Sequence, residues 1–426
     1  MLAARSGRLA ALLAALALVA CRAEAPVVPT PVEPPTPAPS PTQQVEALEP
    51  AGDALRGKVV LWMDWPPAET SWLAGLLAQF RERHPGVELS LRYVPTDSYH
   101  DVVRSQALEP EGPTILFAPS SWATELYDAG LTQEVTERVS PELRGSLLPI
   151  TWSQVEDGER VLGLPIEMQG MLLYRNPALL PEGAPSVEEM RVLAEELPRG
   201  TGLVLDLGMQ TSMPFMSACG GTLMLVDSKL QVDEAVGVCW LRLLQRMAGI
   251  GRISSDPQAD LEAFEAGDAG WVVESTEHLP RIEKALGHPA ALDDWPLYGE
   301  TGKPLSGYTW TLNAYLRSGL SVEDAEASWA FLQLMLSPQA QLDRSRLAGV
   351  IHLPVLAEAE GLSGTASRAR ALLAANTPLP LARGLAEFVE PLERAARLVA
   401  PQSGVPLTAW RRAMETLRVQ PSPSAP

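Results

Sequence analysis

Three short apolar runs between positions 58 and 118 alternate with stretches of helical periodicity, and few architectures accommodate that order. Val59-Val60-Leu61-Trp62-Met63 reads as a buried strand, stopped by Asp64-Trp65-Pro66-Pro67. Thr70 or Ser71 can cap the next segment, in which Trp72, Leu73, Leu76, Leu77 and Phe80 share one helical face before Pro85-Gly86 ends it. Val87, Leu89, Leu91 and Tyr93 then alternate with Glu88, Ser90 and Arg92, the period of a strand. A helical stretch over 99–108 leads to the third run, Thr114-Ile115-Leu116-Phe117-Ala118. Strand, helix, strand, helix, strand implies parallel strands with right-handed crossovers. Ligands of such sheets bind beyond the carboxyl ends of the strands. Asp64-Trp65-Pro66 and Pro119-Ser120-Ser121-Trp122 leave those ends here. Each sets a tryptophan beside polar groups, a pairing that stacks on a sugar ring and binds its hydroxyls. Trp62, Asp64, Trp65 and Trp122 are therefore expected to line one wall of a ligand site.

The N-terminus carries an address. Arg5 and Arg8 precede an uncharged run from Leu9 to Ala20, too short to span a bilayer but ordered like a secretory signal. Leu18-Val19-Ala20-Cys21 resembles the bacterial lipobox, which implies cleavage after residue 20 and lipid on Cys21. Half of the residues from Pro26 to Pro41 are proline, so this stretch is expected to be an extended polyproline spacer. The expected division is a signal peptide over 1–20 and a lipidated linker over 21–56.

Beyond the spacer enough chain remains for two domains. With 52 acidic against 33 basic residues, a net charge of −19 argues against nucleic acid as a partner. Cys219 and Cys239 are left after Cys21, and export permits a disulfide, although two buried thiols fit their surroundings equally well. The five histidines are scattered without ligand spacing, so no metal and no cofactor are expected. Nor is catalysis: no Gly-x-Ser-x-Gly elbow, phosphate loop or His-Glu-x-x-His occurs.

From Trp152 onward a longer pattern emerges. Trp152 and Gly158 precede Val161-Leu162-Gly163-Leu164-Pro165, then Ile166-Glu167-Met168-Gln169-Gly170, then a run ending Tyr174-Arg175-Asn176. Gly112-Pro113-Thr114, Cys219-Gly220-Gly221, residues 263–271 and the Ser337-Pro338-Gln339-Ala340-Gln341 helix end follow in matching order. Together these resemble the family 1 extracellular solute-binding proteins of ABC importers, the maltose-binding-protein group, over about residues 57–420. The resemblance implies an α/β, two-lobed periplasmic-binding-protein fold (type II), each lobe a mostly parallel sheet flanked by helices. It places lobe I at 57–165 plus 310–365 and lobe II at 166–309 plus 366–420. Crossovers are expected near Pro165–Glu167, Ser306–Trp310 and Gly361–Arg370.

The same resemblance implies capture of a small solute by hinge closure. Glu167, Met168, Glu274, Ser275 and Thr276 would form the second wall, with Tyr308 and Trp310 near the hinge. Glu167 stands where the family has a sugar-contacting carboxylate. A carbohydrate ligand is expected, delivered by a monomeric, membrane-tethered protein to a permease driven by a separate ATPase. The sequence departs from the sugar-binding members at Trp65-Pro66, where they carry a basic residue, and at Glu274-Ser275-Thr276, where they carry Gly-x-Trp. Phe388 is the one aromatic residue it offers on a later helix that bears stacking aromatics in those members. A polyamine or other non-sugar solute, or a sensory lipoprotein that reports to a receptor, are the alternatives.

Overall fold

The computed structural model describes residues 55–226, 229–254, 256–381, 383, 385–401 and 403–419. The signal peptide, Cys21 and the proline-rich spacer lie outside the described residues. Among those described, no helix is long and apolar enough to cross a membrane.

The alternation read from the sequence is realised as β1 (Gly57–Met63), α1 (Pro67–Arg83), β2 (Val87–Tyr93), α2 (Thr96–Gln106) and β3 (Ile115–Pro119), followed by α3 (Ala123–Asp128). β1 pairs in parallel with both β2 and β3. α1 starts with Pro67 at its first position, where the missing N–H costs nothing, and buries Leu73, Leu76, Leu77 and Phe80. It also buries Glu69, an acid of the first turn that faces inward. β1 divides its side chains between two layers. Val59, Leu61 and Met63 join the core beneath α1, while Trp62 joins a smaller core with Val94, Tyr99, Val103 and Leu116.

Two long strands, β4 (Leu164–Arg175) and β9 (Tyr308–Leu316), carry the sheet from one lobe to the other. Between them in sequence come β5 (Leu203–Asp206), α4 (Glu234–Ala248), β6 (Arg252–Ser254), α5 (Pro257–Glu265), β7 (Trp271–Ser275) and β8 (Ala291–Asp293). The strand order is β6-β5-β7-β4-β9-β3-β1-β2, with β8 added on β4. β4 pairs with β9 from Leu164 to Gly170 and with β7 from Met171 to Arg175. At the change of partner sits Gly170, where a Cβ would lie 2.4 Å from the Tyr308 carbonyl oxygen. Only glycine lets the two backbones approach so closely.

After β9 come α6 (Val322–Met335), α7 (Pro338–Ser345), the short β10 (Thr377–Pro378) on β9, α8 (Leu385–Val399) and α9 (Pro406–Val419). α8 and α9 complete a second core around Trp240, Leu244, Phe215 and Trp410. Cys219 and Cys239 are joined as a disulfide, their Cα atoms 5.8 Å apart, which resolves the two readings left open by the sequence.

Candidate functional site

A cavity of about 500 Å³ opens where β1 and β3 end and the long strands cross. Its floor is a buried cluster of four charged side chains. Glu69 comes from α1, Glu167 from β4, Arg344 from the last turn of α7, and His352 from the segment after it. One Arg344 nitrogen lies 2.9 Å from a carboxylate oxygen of each glutamate. The two ring nitrogens of His352 lie 3.1 Å from Glu69 and 3.0 Å from Glu167. They meet these oxygens at ion-pair distance but off the ideal hydrogen-bond line. Two carboxylates, one guanidinium and a doubly protonated imidazole sum to zero. Burial pushes the Glu167 carboxyl up, but His352 and Arg344 outweigh it and hold it below its ordinary value. Burial pushes the His352 imidazole down, and Glu167 and Glu69 more than reverse this.

Glu69, Glu167 and His352 also offer three atoms close enough together to hold a metal ion. The oxygens such an ion would need are the ones on which Arg344 rests, so the cluster is already charge-balanced by a resident cation. These residues fit an ion-pair network better than a metal centre.

Aromatic faces form the walls. The Trp65 indole packs under the Arg344 guanidinium at 4.4 Å and against Phe117 at 4.6 Å. Trp122 meets His100 in a T-shaped contact at 4.4 Å and stacks on Tyr99 at 6.1 Å; half-buried, it lines the cavity. The Tyr99 hydroxyl is 2.8 Å from the carbonyl oxygens of Trp62 and Phe117, so it is fixed from behind. Polar groups complete the lining. Gln169 accepts a hydrogen bond from Trp310 Nε1 at 2.9 Å. Asp64 is half-buried and Glu277 is open to the cavity. Burial raises both carboxyls above their ordinary values, with Glu167 adding to the effect at Glu277.

The cavity brings together Asp64, Trp65, Trp122 and Glu167 of the residues expected from the sequence. Glu167 lies at its floor, tied to Arg344 and His352 rather than free. Trp62 lies elsewhere: it is 2% exposed, on the α2 face of the sheet, with Arg92 over its ring. Met168 is buried in the core, because strand alternation turns it away from the side that Glu167 and Gln169 share. Glu274, Ser275 and Thr276 shape a turn next to the cavity. Glu274 binds His278 Nδ1 at 2.6 Å, Ser275 caps the turn through the Glu277 N–H, and Thr276 accepts from the Gly170 N–H. Tyr308 is enclosed in the second core, and Trp310 reaches the site only by holding Gln169.

Gln169, Glu277, Tyr99 and His100 line the cavity without having been singled out by sequence. Gln169 could have been found, since it is two residues beyond Glu167 on one strand face. Glu277 adjoins the Glu274–Thr276 group. Arg344 and His352 carry no local signal.

Comparison with known proteins agrees with this architecture. Residues 75–372 match the sequence model of a family described as bacterial extracellular solute-binding protein. A maltotriose-binding protein of Pyrococcus abyssi is 22% identical over 140 residues, a match spanning 33% of this chain and 30% of that relative. A cyclo/maltodextrin-binding protein complexed with maltotetraose superposes with a TM-score of 0.73 at 17% identity, covering 87% of this chain and 98% of its own. The extracellular solute-binding protein of Staphylococcus aureus in complex with maltose gives 0.69 at 15%, with 85% and 98% covered. The GacH receptor of Streptomyces glaucescens, known unliganded and with acarbose, gives 0.65 at 18%, again with 85% and 98% covered. At these identities the structural likeness speaks for the fold.

Proposed function

The chain belongs to the bacterial extracellular solute-binding protein family, and from that premise we propose that it captures a sugar or oligosaccharide by closure of its two lobes and delivers it to a membrane permease powered by a separate ATPase. The observation that carries the reading is the cavity itself. It sets the half-buried Trp122 indole beside Asp64, Gln169 and Glu277 at the carboxyl ends of β1 and β3. An indole takes the apolar C–H face of a pyranose, while carboxylate and amide oxygens accept from its hydroxyls. The maltose and maltodextrin ligands of the relatives support a carbohydrate here.

Lobe I is proposed at 57–165 plus 310–365 and lobe II at 166–309 plus 366–420, with Trp65 and Trp122 on one side and Gln169 and Glu277 toward the other. A ligand touching both favours the closed form by its differential affinity. Cleavage after Ala20 and lipid on Cys21 would keep this trap beside its permease, on a spacer of proline-rich chain.

The test is a thermal-shift and calorimetric screen of mono- and oligosaccharides, polyols and polyamines. A sugar is expected to raise the melting point by mass action. Trp122→Ala is expected to weaken its binding at least tenfold. Stabilisation by a polyamine and by no sugar would overturn the carbohydrate assignment and leave solute capture standing. Membrane partitioning of a Cys21→Ser protein would overturn the lipid anchor.

A further inference from the structure

We propose that the captured sugar carries a protonated amine, and that Asp64 and Glu277 select it. The proposal rests on the carbohydrate reading above and narrows it to amino sugars. The charges of the cavity do not cancel. Four carboxylates line it, those of Asp64, Glu69, Glu167 and Glu277. Arg344 and His352 are committed to Glu69 and Glu167. His100, also in the lining, lies 3.1 Å from Glu125. His278 follows Glu277 in the chain but is bound to Glu274. The residue after Asp64 is Trp65, so that loop brings no base of its own. Among the described residues, Asp64 and Glu277 therefore have no cation at ion-pair distance, and Asp64 is met by the neutral hydroxyl of Thr96. Their environments agree with this. Burial raises both carboxyls, and no cation outweighs it as His352 and Arg344 do at Glu167.

The two acids reach the cavity from different elements, Asp64 after β1 and Glu277 after β7. The proposed lobes put them on opposite walls, so closure around a ligand draws both out of water. A carboxylate that loses water without gaining a matching charge is costly. A sugar hydroxyl returns only a hydrogen bond between an ion and a neutral group, whereas an ammonium also returns the missing charge. An ammonium has three donors and no acceptor, which suits a wall whose unpaired groups are acceptors. A compact cavity of about 500 Å³ spans about 10 Å. That is about one Debye length, so both acids act on a charge placed anywhere within it. The Trp122 indole in the same lining favours a cation as readily as the apolar face of a pyranose. A sugar ring that bears an amine satisfies the indole and the unpaired acids together.

Isothermal titration of the whole protein at about pH 6.5, where an amine of ordinary pKa is protonated, tests this. The ligands are glucose, glucosamine and N-acetylglucosamine, each also as its β-1,4-linked disaccharide. The amine is expected to bind at least tenfold more tightly than its hydroxyl and N-acetyl counterparts, an advantage that shrinks as salt is added. Asp64→Asn combined with Glu277→Gln keeps the shape of both side chains and should bring that ratio close to one. An amine that binds no better than its neutral counterparts overturns the proposal while the carbohydrate reading stands. So does an advantage that survives the double substitution, since it reports attraction to the acidic surface outside the cavity. Binding of none of these sugars also overturns the proposal, and the carbohydrate reading falls with it only if the wider screen above finds no sugar either.

Discussion

The Arg344 side chain is 2% exposed and shares one nitrogen between Glu69 and Glu167, so its removal leaves two buried carboxylates facing each other. Breaking a buried ion pair from one side costs about 3–5 kcal/mol. Arg344→Met is accordingly expected to lower the denaturant midpoint by that order, although its aliphatic stem is preserved. The same cluster sets a pH dependence. His352 is raised above its ordinary 6.5, so its contribution is complete below that pH and is lost as pH rises through the folded value. Glu167 is lowered below 4.5, so its contribution is complete above that pH and is lost as pH falls through the folded value. Stability from the cluster should therefore peak between about pH 4.5 and 6.5. Melting curves from pH 3 to 9 should show His352→Gln losing the alkaline decline and also weakening the acid one, because His352 is one of the two cations that hold Glu167 down. Asp260 behaves oppositely. Burial beside Glu274 and Asp206 pushes it up to about 7, and one of its oxygens has no partner. A carboxyl raised from 3.8 costs nothing at low pH and costs increasingly as pH rises to 7. Asp260→Asn is expected to match the parent near pH 4 and to exceed it by on the order of 2–4 kcal/mol at pH 8 in equilibrium unfolding.

At the scale of elements, β1 to β3 were legible because each strand is a short apolar run and each intervening helix has a one-sided apolar face. What the pattern did not show is which layer each strand residue faces. Trp62 and Asp64 have the same parity, yet the strand ends at Met63, and so only Asp64 and Trp65 turn into the cavity. The resemblance implied one strand ending in Gly-x-Pro at Pro165 and another ending near Tyr174, and the structure joins them in the single strand β4. The division of its faces depends on β9, α7 and β7, which come from distant sequence. The disulfide belongs to this scale as well. It ties the 3-10 segment Met213–Cys219 to α4 across a separation of 20 residues. A loop of that length constrains the unfolded chain by about 3 kcal/mol. Cys239→Ser should lower stability by about that amount, and reductant should do the same to the parent and nothing to the variant.

At the scale of the molecule, the sheet order joins two lobes through β4 and β9, and a solute trap requires those strands to act as a hinge. Small-angle scattering is expected to show a smaller radius of gyration when a binding sugar is added. An unchanged radius at saturation would count against closure. The sequence by itself determined the fold class, the three-strand start, the family and the two tryptophan-bearing loops, because periodicity, turn residues and motif order are local properties. It could not decide whether Glu167 is a free ligand carboxylate or a member of an ion-pair cluster. That depends on Arg344 and His352, more than 170 positions away in the chain, arriving at the same point. Nor could it assign Gln169 and Glu277 to the cavity. Tertiary structure decided these matters because charge compensation and cavity lining depend on which distant side chains meet.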